Sequence, residues 1–436
     1  MLIPKIANII NGTMIEKVLV IYPVDLLSCF HKFVYRFKMN RLPSDSRFMK
    51  FQEFIKSGDI NSSMQCVEFD KLRPSIMIQS SGTTGKPKII VHSDYSATVC
   101  TKQLAYADIP IGQGKVLLNA LPPWIAYALG QAIIYPSSLG TKVKLCPSFE
   151  PEMVFQNIGT FTISFAAPFH YRYIRDNYNK LSKEQKSDLN MIECMVSGGD
   201  KITSEENQQI EELLNVVLVN GYGNNEGWGA LTVNPVKNNK YGTVGIPKYN
   251  ETIIAYDNNV KEELPYGEIG EICVLAETLF LYYEGNSEET KAVKKQHADG
   301  KVWLHTGDLG FIDEDGYVNL CGRARRVIVR RGFKISAYTI EDKICEHPDV
   351  KECVVVEVKD NEDEHVPMAY IVLRERIENS ESVKLSIQEK CMTELKTHEV
   401  PKYYNFVLTL PYTQNGKYDF RYLEEQGNKF VDMKVK

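Results

Sequence analysis

The nine residues from Ser80 to Lys88 (SSGTTGKPK) combine the residue types that bind phosphate groups. Glycine permits tight turns and lets the backbone approach a ligand closely. Hydroxyl groups rotate to donate to phosphate oxygens, and lysines add positive charge. The alternative is a flexible hairpin whose lysines are incidental. The predicted phosphate-binding residues of this loop are Ser80, Ser81, Gly82, Thr83, Thr84, Gly85, Lys86 and Lys88.

The loop differs from a Walker A motif. That motif places four residues between its glycines and a Ser or Thr after its lysine. Here only two residues separate Gly82 from Gly85, and Pro87 follows Lys86. Short apolar runs at 76–79 and 89–91 predict a strand on each side of the loop. A loop between two strands suits a mobile cover for a triphosphate.

Three later segments extend this pattern in a fixed order: NGYGNNE at 220–226, HTGDLG at 305–310 and PYTQNGK at 411–417. Together with the loop they resemble the acyl-adenylate-forming superfamily. That superfamily includes acyl-CoA synthetases, the adenylation domains of peptide synthetases and luciferase. The resemblance extends from about residue 75 to residue 420 and rests on separate blocks rather than on one motif.

The resemblance implies roles for five residues. Tyr222 matches the tyrosine that packs on adenine, and Glu226 the glutamate that helps to hold Mg²⁺ on the phosphates. Asp308 matches the aspartate that accepts hydrogen bonds from both ribose hydroxyls, and Arg323 an arginine that contacts ribose or phosphate. Lys417 matches the adenylation lysine, which bridges the carboxylate and the α-phosphate while negative charge develops. Thr83 and Lys86 complete the predicted catalytic set, and Glu226 is the predicted metal ligand.

Read singly, these residues have simpler interpretations. Glu226 fits a solvated residue after a Gly/Asn turn, Asp308 a turn-capping aspartate, and Lys417 a surface lysine after Asn-Gly. Their common order favours the nucleotide site. The same resemblance adds the remaining predicted nucleotide-binding residues: Gly198, Gly199, Asn220, Gly221, Gly223, Asn225 and Lys334.

Asn225 and Arg325 depart from the superfamily pattern. Asn225 stands where relatives have Thr or Ser, and we infer that its amide takes over the phosphate contact. Arg325 occupies the hinge position, which is usually Asp or Lys, about which the C-terminal domain rotates between half-reactions. The basic stretch 323–334 (RARRVIVRRGFK) is either a solvated face or an anchor for the phosphates of coenzyme A or for an acidic carrier protein.

The acyl pocket is predicted to be apolar. Relatives that activate amino acids place an Asp near the segment 122–125, whereas Ile125 and Ala126 occupy that place here. An unsubstituted aliphatic or aryl acid is therefore the expected substrate. The predicted lining residues are Trp124, Phe169, Trp228 and Gly229.

Composition narrows the class of protein. The chain has 436 residues, a hydrophobic fraction of 43%, a charged fraction of 25% and a formal net charge of -5, so no basic field recruits nucleic acid. The ten cysteines form no Cys-x-x-Cys pair, and their spacing indicates neither a zinc site nor a disulfide framework. No signal segment and no run of 18 apolar residues occurs, so we expect a cytoplasmic protein without a membrane span.

The fold expected from these patterns is α/β. Strand runs alternate with amphipathic stretches, such as a helix at 204–214 capped by Ser204, and predict layers around a largely parallel sheet. We expect a large N-terminal domain at 1–323 that includes a β-rich subdomain, and a small mobile α+β domain at 324–436 that carries Lys417. Only 79 residues precede Ser80. We expect this short N-terminus to thin one wall of the acyl pocket or to favour a homodimer.

The expected activity is ATP-dependent conversion of a small carboxylic acid to acyl-AMP, with release of pyrophosphate and then transfer of the acyl group to a thiol. Coenzyme A is the expected acceptor, and the phosphopantetheine arm of an acyl carrier protein is the alternative. A non-catalytic nucleotide-binding homologue is a third interpretation, although Glu226, Asp308, Arg323 and Lys417 are all present. The cofactors implied are ATP, Mg²⁺ and one of these two thiols.

Overall fold

The computed structural model describes residues 2–22, 42–58, 67–80, 87–374, 380–412 and 418–435. It divides the chain into two compact units, Met1–Glu68 and Phe69–Lys436. In the first unit, two short strands pair in parallel, and Ile10, Val20, Tyr22 and Phe48 form its small core. The elements of this unit are α1 (Leu2–Ile9), β1 (Val18–Val20), β2 (Phe48–Lys50) and α2 (Phe51–Ser57).

Within the described residues, the second unit contains four sheets and one hairpin. Its strands are β3 (Pro74–Gln79), β4 (Ile89–Ser93), β5 (Val116–Asn119), β6 (Lys142–Leu145), β7 (Ile163–Ala166), β8 (Cys194–Gly198), β9 (Leu218–Asn224), β10 (Gly229–Val233), β11 (Ile246–Pro247), β12 (Glu251–Asp257), β13 (Glu262–Glu263), β14 (Gly270–Ala276), β15 (Tyr282–Tyr283), β16 (Lys294–Gln296), β17 (Val302–Ile312), β18 (Val318–Arg323), β19 (Val327–Arg330), β20 (Phe333–Ser336), β21 (Val350–Asp360), β22 (Glu364–Leu373) and β23 (Tyr403–Phe406).

The α-helices of the second unit are α3 (Asp94–Gln103), α4 (Tyr135–Ser138), α5 (Glu152–Gln156), α6 (Pro168–Asp176), α7 (Lys183–Asp188), α8 (Ser204–Leu214), α9 (Ser287–Val293), α10 (Ala337–Cys345), α11 (Ser380–Glu394) and α12 (Phe420–Val435). A π-helical segment, Tyr127–Ile134, leads into α4. Short 3-10 turns connect several of these elements.

A seven-stranded sheet in the order β11-β10-β9-β8-β7-β5-β6 forms the centre of the second unit. Strands β6, β5, β7, β8 and β9 run parallel, and β10 and β11 are antiparallel. The core of this sheet contains β-branched and aromatic residues such as Ile163, Phe165 and Val219, none of them more than 1% exposed. Strands buried on both faces are expected of parallel sheets covered by helices. The predicted α/β class with a largely parallel sheet is confirmed.

The remaining strands are mostly antiparallel. Strands β12, β13, β14, β16, β17 and β18 form a six-stranded sheet, which is the predicted β-rich subdomain, and β3, β4 and β15 form a three-stranded sheet. Beyond residue 323, β19 and β20 form a hairpin, while β21, β22 and β23 pack with α10, α11 and α12. This is the α+β pattern predicted for the C-terminal part. The domain boundary at 323/324 stays a prediction.

The start of α8 differs from the prediction by one residue. Thr203, not Ser204, is the N-cap: its hydroxyl accepts from the Glu206 backbone N–H, and the Glu206 side chain accepts from the Thr203 N–H. This reciprocal capping box pairs two backbone donors at once, the N–H groups of Glu206 and Thr203. Ile210 and Leu214 lie on the buried face as expected.

The described residues contain no helix that is both long enough and apolar enough to cross a membrane. The eight cysteines that fall within the described residues are free thiols.

Candidate active site

The predicted phosphate loop closes a hairpin whose ends are tied together. Strands β3 and β4 pair in antiparallel register, and Ser80 N donates to Lys88 O at 2.9 Å. The stem therefore fixes the two ends from which the loop starts and returns. The predicted phosphate contacts of the loop tip stay predictions, because the following residues lie outside the described ranges: Ser81, Gly82, Thr83, Thr84, Gly85 and Lys86.

Tyr283 connects Lys88 to Glu226. Its hydroxyl donates to Glu226 Oε1 at 2.8 Å, and Lys88 Nζ lies 4.9 Å from the centroid of its ring. Lys88 Nζ also lies 3.0 Å from Glu289 Oε2. Burial raises the pKa of Tyr283, and the Glu226 carboxylate raises it further, so the phenol remains protonated and remains a donor. The sequence analysis did not identify Tyr283, because only the pairing of β15 with β4 places it here.

Glu226 follows β9 in a half-buried position. Tyr283 holds one oxygen of its carboxylate, and its backbone carbonyl accepts from Phe280 N at 2.7 Å. Mg²⁺ usually takes one or two protein carboxylates together with substrate phosphates and water. A single oriented carboxylate near the stem of the phosphate loop fits that pattern. The metal-binding role of Glu226 stays a prediction.

Tyr222, Asp308 and Arg323 come together although they belong to three different strands. Tyr222 Oη donates to Asp308 Oδ2 at 2.5 Å, and Arg323 Nε lies 3.0 Å from Asp308 Oδ1. Arg323 stands directly opposite Asp308 in the β17–β18 ladder. The Asp308 charge raises the pKa of Arg323, while burial and then Asp308 raise the pKa of Tyr222 well above its ordinary value. Each carboxylate oxygen still has a second lone pair, so the oriented Asp308 can accept from a vicinal diol.

Glycines bring the backbones of the site close together. In the β8–β9 ladder, Gly198 stands opposite Gly221, so the two predicted glycine segments are neighbours. A Cβ on Gly223 would lie 1.7 Å from Gly229 O, which no side chain can tolerate. Gly223 is therefore required for the β9–β10 hairpin that presents Tyr222 and Glu226. The nucleotide contacts of Gly198, Gly199, Asn220, Gly221 and Gly223 stay predictions.

Asn225 is held by two hydrogen bonds. Its Oδ1 accepts from Ala126 N at 3.1 Å, and its backbone carbonyl lies 2.7 Å from His92 Nε2, which donates. The side-chain NH₂ is therefore the group left to meet a phosphate, as the predicted role of Asn225 requires. His92 is buried, and burial lowers its pKa to about 4, so the ring is neutral. The sequence analysis did not identify His92.

The aromatic residues predicted for the acyl pocket lie in three different environments. Trp228 is fully buried in a cluster with Ile78, Cys100 and Ala126, whereas Trp124 is 66% exposed. Phe169 is half-buried and stacks on the His170 ring, with centroids 4.0 Å apart. Trp228, which the sequence predicted as a pocket residue, thus packs inside a hydrophobic cluster. The predicted lining of the acyl pocket stays a prediction.

The π-helical segment Tyr127–Ile134 leaves no room for a side chain at Gly229. A Cβ there would lie 2.0 Å from Gln131 Oε1, and the backbone adopts a φ of 90°. Gln131 is buried and donates from Nε2 to Trp228 O at 3.0 Å. Gly229 and Trp228 are therefore fixed by packing against the π-helical segment.

Lys417 lies outside the described residues, but its neighbours show where its segment leaves and rejoins the fold. Tyr412 and Tyr418 form a bridge, and their ring centroids are 5.0 Å apart. Burial raises the pKa of Tyr418, Glu352 raises it further, and Arg172 opposes both. The Tyr418 ring thus lies within the electrostatic reach of Arg172. The catalytic role of Lys417 stays a prediction.

Arg172 is a third residue of this region that the sequence motifs do not identify. Its guanidinium forms a two-pronged ion pair with Glu206 at 2.9 Å for each nitrogen, and it donates to Lys201 O at 2.8 Å. Lys201 in turn forms an ion pair with Asp342 on α10. The Lys201–Asp342 pair thus joins the loop after β8 to α10.

Most of the basic stretch 323–334 is paired within the protein. Arg323 pairs with Asp308, Arg326 with Glu341 at 2.5 Å, and both Arg330 and Arg331 with Asp363. Arg326 and Arg330 are largely buried in these pairs, whereas Arg323 and Arg331 are paired but exposed to solvent. The predicted hinge residue Arg325 lies in a 3-10 turn, Ala324–Arg326, and Lys334 lies on β20. The roles of these two residues stay predictions, because the structure does not describe their side chains.

Two family models match the chain. Residues 37–284 match the AMP-binding enzyme family, and residues 339–417 match the C-terminal domain of AMP-binding enzymes. Both matches are consistent with the order of motifs along the chain.

Among curated proteins, a long-chain-fatty-acid–CoA ligase of Bacillus subtilis is 28% identical over 86% of this chain and 68% of its own length. A probable CoA ligase of Humulus lupulus is 30% identical over 73% of this chain and 55% of its own length. A 4-coumarate–CoA ligase of the same plant is 27% identical, over 76% of this chain and 60% of its own length. The chain thus spans between about half and two thirds of these relatives.

Among solved structures, an anthranilate CoA ligase in complex with anthranoyl-AMP superposes with a TM-score of 0.79. It is 23% identical and covers 99% of this chain and 77% of its own length. An ATP-bound MatB from Rhodopseudomonas palustris gives a TM-score of 0.72 at 24% identity, over 81% of this chain and 68% of its own. At this level of identity the structures confirm the fold.

Proposed function

This chain belongs to the AMP-binding enzyme family, and we propose that it converts a carboxylic acid to its coenzyme A thioester through an acyl-AMP intermediate. The observation that carries the proposal is the hydrogen bond between Tyr222 and Asp308, with Arg323 on the other carboxylate oxygen. It joins two motifs that lie 86 residues apart in the chain. An oriented carboxylate beside a half-buried aromatic ring suits the ribose and the base of a nucleotide.

In the first half-reaction, a carboxylate oxygen of the acid attacks the α-phosphorus of ATP. A bond from phosphorus to that oxygen forms, the bond to the bridging oxygen of the β-phosphate breaks, and pyrophosphate leaves. Bound Mg²⁺ would neutralise phosphate charge, with Glu226 as its protein ligand. Tyr283 keeps Glu226 oriented, Asp308 holds the ribose, and Lys417 supplies the mobile positive charge at the reacting groups.

In the second half-reaction, the sulfur of coenzyme A attacks the carbonyl carbon of acyl-AMP. The C–S bond forms, the bond from carbon to the phosphate-linked oxygen breaks, AMP leaves, and the thiol proton passes to solvent. Coenzyme A is the proposed acceptor because the similar curated proteins, and the anthranilate CoA ligase among the similar structures, are coenzyme A ligases. The carrier-protein alternative gains no support from them.

A pyrophosphate-exchange screen tests this proposal. The purified chain is incubated with ATP, Mg²⁺ and labelled pyrophosphate, and with aliphatic, aryl or amino acids one at a time. We expect label to enter ATP only with an acid present, and most rapidly with an unsubstituted aliphatic or aryl acid. Adding coenzyme A should then yield a thioester that mass spectrometry detects. A chain that neither binds ATP nor exchanges label with any acid would instead be a non-catalytic homologue.

A further inference from the structure

A cluster of one thiol and two imidazoles lies in the six-stranded sheet, outside the candidate active site. Cys273 on β14 stands directly opposite His305 on β17 in the antiparallel ladder. His297 follows β16, in the hairpin that leads back to β17. One ligand atom from each of the three side chains lies within 4.8 Å of the others. Cysteine and histidine are the protein ligands that Zn²⁺ prefers.

The spacing of the nitrogen atoms is close to that of a metal site. His297 Nε2 and His305 Nε2 lie 3.0 Å apart, and Cys273 Sγ lies 3.5 Å from the His305 ring at Nδ1. Two nitrogen ligands of a tetrahedral Zn²⁺ with bonds of about 2.0–2.1 Å lie about 3.3 Å apart. The two nitrogens must therefore separate slightly, and Cys273 Sγ must turn from the Nδ1 side of His305 towards the two Nε2 atoms to complete that geometry.

A carboxylate orients the central imidazole. Glu271 Oε2 lies 2.8 Å from His305 Nδ1 and accepts its proton, which leaves the Nε2 lone pair of His305 facing His297. The other Glu271 oxygen accepts from Gly307 N at 2.9 Å. A carboxylate that accepts the second N–H of a ligating histidine is the usual support of a zinc site. Here the same carboxylate also holds the residue that precedes Asp308.

Aromatic rings fix the third ligand. The His297 ring stacks on the Tyr256 ring, with centroids 4.1 Å apart, and on the Trp303 ring, with centroids 5.1 Å apart. Cys273 and His305 are buried, whereas His297 is half-buried. The aromatic rings and Glu271 thus hold the two imidazoles in place, and the open side at His297 gives an ion and a water ligand access.

We propose that Cys273, His297 and His305 form a binding site for Zn²⁺, with water as the fourth ligand and Glu271 as the supporting carboxylate. A pair of neutral imidazoles that share one proton would give the same Nε2–Nε2 spacing without any metal. The experiment below separates the two arrangements.

The test uses the full-length chain, stripped of metal by a chelator, and Co²⁺ as a spectroscopic probe. We expect one equivalent of Co²⁺ to give the visible bands of a four-coordinate ion and the near-ultraviolet band of a sulfur–cobalt bond, and Zn²⁺ to displace it. His297→Asn should lower the affinity for Co²⁺ and Zn²⁺ by more than about 100-fold, because it removes a direct ligand. Glu271→Gln should lower the affinity by about 10–100-fold.

The matched control is His347→Asn, which alters a histidine that bonds to Ser386 outside the cluster. It should bind Co²⁺ as the wild type does. Cys273→Ser should abolish the sulfur band. Since Cys273 is fully buried and that variant risks misfolding, the half-buried His297 gives the decisive comparison. Equal affinity of His297→Asn and the wild type, or a wild type without the sulfur band, would overturn the proposal in favour of the shared-proton pair.

Discussion

The hydrogen bond from Tyr283 to Glu226 gives a quantitative prediction about the Mg²⁺ dependence of adenylation. Tyr283→Phe removes the hydroxyl but keeps the ring, so the contact of Lys88 with the ring face is retained. A hydrogen bond to a charged group contributes about 1.5–3 kcal/mol. Since Glu226 is only half-buried, we take the lower end of that range. About 1.4 kcal/mol corresponds to a tenfold change in rate or affinity.

We therefore expect Tyr283→Phe to lower kcat/KM for ATP in pyrophosphate exchange by about 10-fold and to raise the Mg²⁺ concentration needed for half-maximal activity. The matched control is Tyr282→Phe, because Tyr282 is the other residue of β15 and is 38% exposed. Exchange is measured for both variants across a Mg²⁺ titration. If Tyr283→Phe and Tyr282→Phe behave alike, Tyr283 does not position Glu226.

Three further predictions concern other parts of the site. Asp308→Asn should raise KM for ATP about 10–100-fold, since the oriented carboxylate is lost, and steady-state kinetics will show whether kcat/KM falls with it. Asp342→Asn should change the rate of exchange by no more than about 5-fold while ATP binding is kept, because a partly exposed pair such as Lys201–Asp342 contributes at most about 1 kcal/mol. Burial lowers the pKa of His92 from 6.5 to about 4, so the unfolded chain binds the extra proton first as the pH falls. The free energy of unfolding should therefore drop by about 2 kcal/mol from pH 7 to pH 5 through His92 alone, and urea titrations should show a smaller drop in His92→Gln.

The sequence predicted the parts of the fold that depend on local pattern. Strand runs that alternate with amphipathic stretches predicted the parallel sheet, the β-rich sheet and the helix at 204–214. The cap of α8 was misplaced by one residue because Thr203 and Ser204 are both good caps. Only the reciprocal bond with Glu206 distinguishes them.

What the sequence did not reveal depends on strand register. Tyr283 reaches Glu226 because β15 pairs with β4, and no spacing within the chain predicts that pairing. The ion pairs of Arg326 with Glu341 and of Arg330 with Asp363 likewise turn a basic run into internal contacts. Burial is likewise not readable from the sequence, since Trp228, a predicted pocket residue, is fully buried whereas Trp124 is exposed.

The cluster of Cys273, His297 and His305 shows the same limit most clearly. Zinc motifs are recognised in a sequence by ligands that lie close together along the chain. Cys273 and His305 are 32 residues apart and meet only as cross-strand neighbours. The spacing of residues in a sequence can reveal a metal site whose ligands share one turn or hairpin. The residues of this cluster are brought together by the pairing of strands in a sheet.

Oxygen labelling of the acid tests most directly whether its carboxylate attacks the α-phosphorus of ATP. An acid that supports exchange is prepared with ¹⁸O in both carboxylate positions and is converted with ATP and coenzyme A. The attacking oxygen stays on phosphorus when the thiol displaces AMP. We therefore predict one ¹⁸O in the AMP and one in the thioester carbonyl by mass spectrometry. Label in inorganic phosphate or pyrophosphate, or unlabelled AMP, would contradict the acyl-AMP mechanism.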